Sequence, residues 1–271
     1  MTQRRRIFVL NGGIDVGSAL ACGLAARGAE VVLFDDGAGA RDADADAGTD
    51  ATANAGADAA RATNGAADAA LAAAGVQRRA CSLASREALA GAFADAAADG
   101  GAPDQIVVSV LPHCALRAAD LAQLPEAAWR EGCRGAIKGL LFALQAAHAT
   151  MAARGGSVVA LGPALGLAGA ARLAPLSAAL EGQRGLVKSA ARQWGRSGLT
   201  VNWVAAAPLA LSPLFEGLPL PIKPDAVPVA LGRRPTPGEG LAGIIDFIGS
   251  AAGRALTGAT LVADGGEWMV P

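Results

Sequence analysis

Two histidines, His113 and His148, and four cysteines, Cys22, Cys81, Cys114 and Cys133, are the side chains best suited to proton transfer, metal ligation or nucleophilic attack. The cysteines show no CxxC spacing, so neither a zinc site nor a disulfide framework is expected, and a reducing cytoplasm is the expected compartment. Two histidines are too few to build a histidine-based metal site. His113 is followed directly by Cys114, and a lone imidazole can serve as acid or base near neutral pH. It can equally be a satisfied loop residue, and the sequence leaves both readings of His113 open. The 271 residues contain no tyrosine, which excludes any chemistry that needs a phenol.

Composition narrows the field further. The chain is 52% hydrophobic and 17% charged with a net charge of −1, which excludes a disordered chain. It also argues against a nucleic-acid partner, because there is no excess of cation to displace counterions. No apolar run reaches the roughly 18 residues of a membrane span. Arg4, Arg5 and Arg6 precede only a four-residue apolar run, Ile7–Leu10, so no secretory leader and no membrane association are expected.

The elements that must position these residues alternate. Short apolar-rich runs predict strands at Ile7–Leu10, Glu30–Asp35, Gln105–Leu111, Ser157–Leu161, Leu199–Val204 and Ala259–Ala263, and Val76–Ala80 is a further candidate strand where the alternation resumes. Helical periodicity fills Val16–Arg27, Ser85–Ala98, Glu126–Arg154, Pro175–Arg196 and Gly240–Ala252. Asn11-Gly12-Gly13 reads as a turn, and Pro208–Pro237 as a loop holding at most short helices. Residues 36–75 form an insertion of biased composition, an acidic loop (Asp36–Asp50) followed by an alanine-rich helix (Ala51–Ala74). Seven strands alternating with helices predict an α/β fold, a doubly wound parallel sheet with helices on both faces, in one domain over residues 1–271. In such a sheet His113 and Cys114 follow the fourth strand at the carboxyl edge, where ligands bind.

Two C-terminal segments carry a family resemblance. Leu256-Thr-Gly-Ala-Thr-Leu-Val-Ala-Asp-Gly-Gly266 is similar to a TGxxxxVDGG ending, and Ser197-Gly-Leu-Thr-Val-Asn-Trp-Val-Ala-Ala-Ala-Pro208 to the strand before it. From about Ile7 to Trp268 the chain resembles the short-chain dehydrogenase/reductase (SDR) superfamily, whose Rossmann-type fold matches the sheet derived above.

The resemblance implies functional positions, and this chain departs from most of them. The nucleotide turn T-G-x-x-x-G-x-G falls on Leu10, Asn11, Asp15 and Gly17, of which only Gly17 keeps the family residue. A carboxylate at Asp15 about 5 Å from a phosphate would cost about 3 kcal/mol at an effective dielectric of 20. Asp15 is read as the N-cap of the first helix, taking the amide donors a pyrophosphate would use. Gly12 and Gly13 keep the turn permissive, so the site can be reshaped rather than lost. Asp35, at the end of the second strand, stands where NAD-dependent members bind ribose hydroxyls; a solvated loop carboxylate is the other reading. The cofactor implied is therefore NAD(H), through Gly12, Gly13, Gly17 and Asp35, with binding weakened or lost. The adenine-facing aspartate corresponds to Ser82, and the N-N-A-G strand end to Ser109-Val110-Leu111-Pro112.

The family's catalytic set is a serine, a tyrosine, a lysine four residues on, and a helix asparagine. The matching positions hold Pro163, Leu176, Leu180 and Ala136. Proline has neither hydroxyl nor amide hydrogen, and an i, i+4 leucine pair is core or interface material. Neighbouring Ser177 and Glu181 are expected on other helix faces, and Lys188 at the surface. No catalytic residue is assigned. The expected role is a non-catalytic structural or regulatory subunit pairing with an active SDR dehydrogenase, a hydroxyacyl-thioester dehydrogenase being one candidate, in a hetero-oligomer or else a homo-oligomer. Two alternatives stand beside it: an NAD(P)-dependent oxidoreductase with relocated residues centred on His113, and a regulatory module binding a nucleotide or acyl ligand.

Overall fold

A computed structural model describes residues 4–13, 16–35, 65–218 and 229–269. Seven parallel strands form one sheet in the order β3-β2-β1-β4-β5-β6-β7. They are β1 (Arg6–Gly12), β2 (Glu30–Asp35), β3 (Gln77–Ala80), β4 (Gln105–Val110), β5 (Gly156–Pro163), β6 (Leu199–Ala206) and β7 (Thr260–Ala263). Every residue of β1, β4, β5 and β6 is buried. That explains their predominantly apolar sequences, since a central parallel strand is covered on both faces.

The main helices are α1 (Gly17–Ala26), α2 (Arg86–Gly100), α3 (Glu126–Trp129), α4 (Gly135–Met151), α5 (Leu165–Ala168), α6 (Ala174–Trp194), α7 (Pro208–Leu211) and α8 (Ala242–Gly249). Helix α1 packs on α8 on one side of the sheet, and α2, α4 and α6 pack in series on the other. Ser85 caps α2 by accepting a hydrogen bond from the Ala88 amide at 3.2 Å. Phe8, Phe34 and Phe93 meet with ring centroids 4.8–5.5 Å apart, tying β1, β2 and α2 into one core.

Three expectations are corrected. Asn11 and Gly12 belong to β1 rather than to a turn, because both pair in register with β4. The single helix expected over Glu126–Arg154 is α3 and α4 joined by a π-helical turn, Arg130–Arg134. That extra residue per turn brings Gly132 against Pro175 and the backbone of Cys114 and Ala115, where a Cβ would lie 3.0–3.4 Å from all three. Strand β5 runs on to include Pro163, which pairs with Ala206 at the strand's last position. Of the insertion, residues 65–73 are helical; the acidic loop, the first part of the alanine-rich segment and the Asp15 cap lie outside the described residues.

Candidate functional site

Strand order reverses between β1 and β4, and the crevice at the carboxyl end of that switch point is where open α/β sheets bind ligands. Its floor is built from paired residues. Asn11 faces Ser109 in register and Gly12 faces Val110. Register partners leave the sheet on the same face, and the Asn11 side chain lies under the first turn of α1, so close that a Cβ on Gly17 would sit 2.6 Å from it. Asn11 and Ser109 are 7% and 2% exposed, and Asn11 Oδ1 and Ser109 Oγ have no hydrogen-bond partner among the described residues.

Beyond the floor the β1–β4 ladder runs on. The Leu111 amide donates to the Gly12 carbonyl at 2.8 Å. Gly13 has φ +98°, and a Cβ there would lie 1.7 Å from the Leu111 carbonyl oxygen. His113 Nε2 lies 2.7 Å from the Gly13 carbonyl oxygen. A carbonyl only accepts, so Nε2 carries the proton and, in the neutral ring, Nδ1 holds the lone pair. Beyond β1, Leu83 lies directly on Gly12, its Cδ1 2.3 Å from where a Cβ would be.

Asp35 ends β2 and pairs with Arg78 of β3 at 3.1 Å, and Arg78 also pairs with Asp68. The solvated-carboxylate reading of Asp35 is therefore corrected: its side chain is 19% exposed and engaged by a cation delivered by the neighbouring strand. Burial pulls the Arg78 guanidinium down, but the charges of Asp35 and Asp68 outweigh it and hold it above its ordinary value. Ser82 is exposed. Among the described residues, the fit to a dinucleotide is poor at one point: the Asp35 carboxylate that would take the ribose hydroxyls holds Arg78.

The positions matched to the catalytic set are all buried, but not in one cluster: Leu176 and Leu180 belong to the main core, whereas Ala136 packs with Cys133 and Ala179. Leu176 and Leu180 are 0% and 1% exposed, and Pro163 and Ala136 are buried. Leu180 packs against Gly162 and Gly166, while the indole of Trp203 covers Gly162 from the next strand. Gln183 escaped the sequence reading. It lies one turn beyond Leu180, is buried, and its Nε2 donates to the Val110 and Ala136 carbonyls, both at 2.9 Å. One side chain thus joins β4, α4 and α6. Its signal was its spacing: Leu176, Leu180 and Gln183 share one helix face, and an amide on an apolar stripe must find buried partners.

The remaining candidates fall elsewhere. Ser177 Oγ accepts from the Ala170 amide at 3.3 Å, Glu181 pairs with Arg184, and Lys188 is exposed. His148 stacks on Trp194 at 4.8 Å, at the opposite end of α4 from the crevice. The Cys114 thiol donates to the Glu131 carbonyl at 3.7 Å, and burial first, then the Glu131 charge, pushes its pKa up, so it is not an activated nucleophile. Among the described residues no group of three or more His, Cys, Asp or Glu side chains could hold a metal, and no helix is long and apolar enough to cross a membrane. A shallow groove runs along the outer face of α3, the π turn and α4, lined by Trp129, Cys133, Ile137 and Leu141 at successive i, i+4 positions and flanked by Arg134 and Lys138.

Comparisons with known proteins agree with this architecture. Residues 39–267 match a family model described as enoyl-(acyl carrier protein) reductase. The cis-4-hydroxycyclohexanecarboxylate dehydrogenase of Sinomonas cyclohexanicum is 32% identical over 268 residues, covering 98% of this chain and 97% of that protein. The (3R)-3-hydroxyacyl-CoA dehydrogenase of Mus musculus is 28% identical over 166 residues, 59% of this chain and 63% of that protein. An oxidoreductase of the short-chain dehydrogenase/reductase family from Burkholderia thailandensis superposes with a TM-score of 0.72 at 25% identity, over 98% of this chain and 93% of that one. With the seven-stranded parallel sheet, the family match over most of its length and a relative aligned end to end, the chain belongs to the short-chain dehydrogenase/reductase superfamily.

Proposed function

We propose that this protein is a member of the superfamily that performs no hydride transfer by itself and assembles with an active dehydrogenase of the same fold. The observation that carries this reading is the burial of Leu176 and Leu180. A general acid must reach the substrate carbonyl, and its cation must reach the acid. Here both positions are closed to solvent and apolar, and the chain holds no tyrosine to take over from elsewhere. The relatives named above are dehydrogenases of a hydroxycyclohexanecarboxylate and of hydroxyacyl-CoA, so the active partner's substrate is a secondary alcohol on a carboxylate or thioester. The apolar groove on α3 and α4 supports assembly, because it leaves Trp129 and Leu141 40% and 37% exposed on one stripe.

Co-expression with dehydrogenases encoded beside this chain, followed by native mass spectrometry, tests the reading. A mixed oligomer is expected, with turnover that disappears when the partner's own catalytic tyrosine is changed to phenylalanine. NAD-dependent oxidation of cis-4-hydroxycyclohexanecarboxylate or a 3-hydroxyacyl-CoA by this chain alone, abolished by His113→Ala, would replace it with the relocated-residue reading.

A further inference from the structure

The groove along α3, the π turn and α4 is apolar on its floor and charged on one edge. Trp129 and Leu141 are exposed at its two ends, while Cys133 between them is buried and Ile137 half-buried, so the middle is recessed. Beside the stripe runs an exposed row, Glu126, Arg130, Arg134 and Lys138. Glu126 pairs with Arg130. Arg134 has no carboxylate partner among the described residues. The Lys138 ammonium rests 5.2 Å from the Phe142 ring centroid, a contact that leaves its charge in place. Glu131, on the next row, turns to Arg117 at 4.0 Å. The edge thus sets three cations against one carboxylate, on a chain whose net charge is −1. We propose that this edge selects the partner: the groove seats an amphipathic helix with an acidic row, carried by the active dehydrogenase, and turns away a second copy of this chain.

The recessed middle takes an apolar side chain, and the exposed ends need apolar cover. An amphipathic helix supplies both, because its own apolar residues recur at i, i+4. Next to that stripe lies the row that meets Arg130, Arg134 and Lys138. Opposite charge there favours docking, and like charge penalises it. A second copy brings the wrong row. In an antiparallel seating, which sets Trp129 of each copy against Leu141 of the other, the two-fold axis crosses at Gly135, midway between them. Such an axis keeps both charged rows on the same flank. Arg134 of one copy then meets Arg134 of the other, and Arg130 meets Lys138 twice over. Gly135 is exposed and has no side chain to hold the copies apart, so charge rather than bulk opposes this pairing. One exposed ion pair changes affinity by up to about fivefold, and here three positions act together.

The surface is argued from this chain alone, whereas the dehydrogenase as its occupant rests on the assembly reading, and the experiment separates the two. Wild-type chain is mixed with a full-length copy carrying Arg130→Glu, Arg134→Glu and Lys138→Glu and a mass tag. That copy presents the same apolar stripe beside an acidic row. Native mass spectrometry and sedimentation follow the mixture at about 50 mM and about 500 mM salt. A one-to-one pair of wild type and reversed copy is expected, at least about tenfold tighter than either chain with itself at the lower salt. It should weaken at the higher salt and be lost when the wild type carries Leu141→Glu. A mixed pair no tighter than either self-pair, or one indifferent to Leu141→Glu, overturns the proposal. Should the triple variant not fold, Arg134→Glu alone is expected to show the same preference, reduced to about threefold. In co-expression with the neighbouring dehydrogenases, the reversed copy is expected to lose the mixed oligomer. An oligomer that survives the reversal overturns this inference and leaves the assembly reading standing. If no dehydrogenase joins the wild type and yet the charge-reversed pair forms, the assembly reading falls, and with it the dehydrogenase as occupant, while the selection of an acidic helix stands.

Discussion

At the scale of single residues, the decisive fact is what surrounds Leu176 and Leu180. Because both are closed to solvent, writing the family pair back in does not rebuild a site. The double substitution Leu176→Tyr with Leu180→Lys places an amine in apolar core, where the neighbouring carboxylate, Glu181, is already paired with Arg184. The expected loss of stability is on the order of 3 kcal/mol at pH 7. An amine held below its ordinary pKa by burial binds fewer protons folded than unfolded, so stability rises with pH and part of the loss is recovered near pH 10, about the amine's ordinary pKa. Thermal melts at pH 7 and pH 10 check this, and no NADH should form, because Pro163 supplies no hydroxyl. Cys114 gives a second expectation. Burial and then Glu131 raise its pKa above the ordinary 9.0, so the unreactive thiol persists beyond the pH at which an unfolded cysteine ionises. Iodoacetamide labelling of Cys114 should be slower than that of the denatured chain at pH 8, and should accelerate only as pH rises past about 9. Equal rates at pH 8 would show that the thiol is not shielded.

At the scale of elements, the close approach of β1 and β4 depends on a glycine that accepts φ +98° with a carbonyl 1.7 Å from its missing Cβ. Gly28, at the end of α1, has a similar φ of +90° but nothing within 4 Å. The pair separates backbone strain from packing. Gly28→Ala should cost about 1 kcal/mol, the penalty of a left-handed alanine alone. Gly13→Ala should cost several times more, because the strand ends must part. Melting curves of the two variants check this, and equal losses would mean that the turn is looser than the structure shows. The π turn at Arg130–Arg134 is the other element the site depends on. It seats α3 beside the segment that carries His113 and Cys114, and it was not legible in the sequence. Its residues satisfy an α-helical pattern, and only contact with Pro175 and Ala115 demands the extra residue.

At the scale of the whole molecule, Trp129 and Leu141 are exposed at the two ends of one helical stripe whose Cys133 is buried, and they line one shallow groove together. If assembly uses this face, Leu141→Glu with Trp129→Ala should abolish the mixed oligomer in native mass spectrometry while leaving the melting temperature of the isolated chain within about 2 °C. An oligomer that survives both changes would move the interface to another face of the molecule.

The sheet and the absence of any phenol are legible in the sequence. Buried parallel strands are rich in apolar residues on both faces, so Ile7–Leu10, Gln105–Leu111 and Leu199–Val204 stand out, and a chain without tyrosine offers no phenol in any register. The sequence also announced the leucine pair by spacing along one helix. The tertiary structure alone decided that Asp35 is held by Arg78, that Gln183 ties β4 to α4 and α6, and that His113 bridges to Gly13. Each of these is a directional contact between residues far apart in the chain. Such contacts depend on strand register and helix placement to within a fraction of an ångström, whereas burial follows from local pattern, which a sequence displays directly.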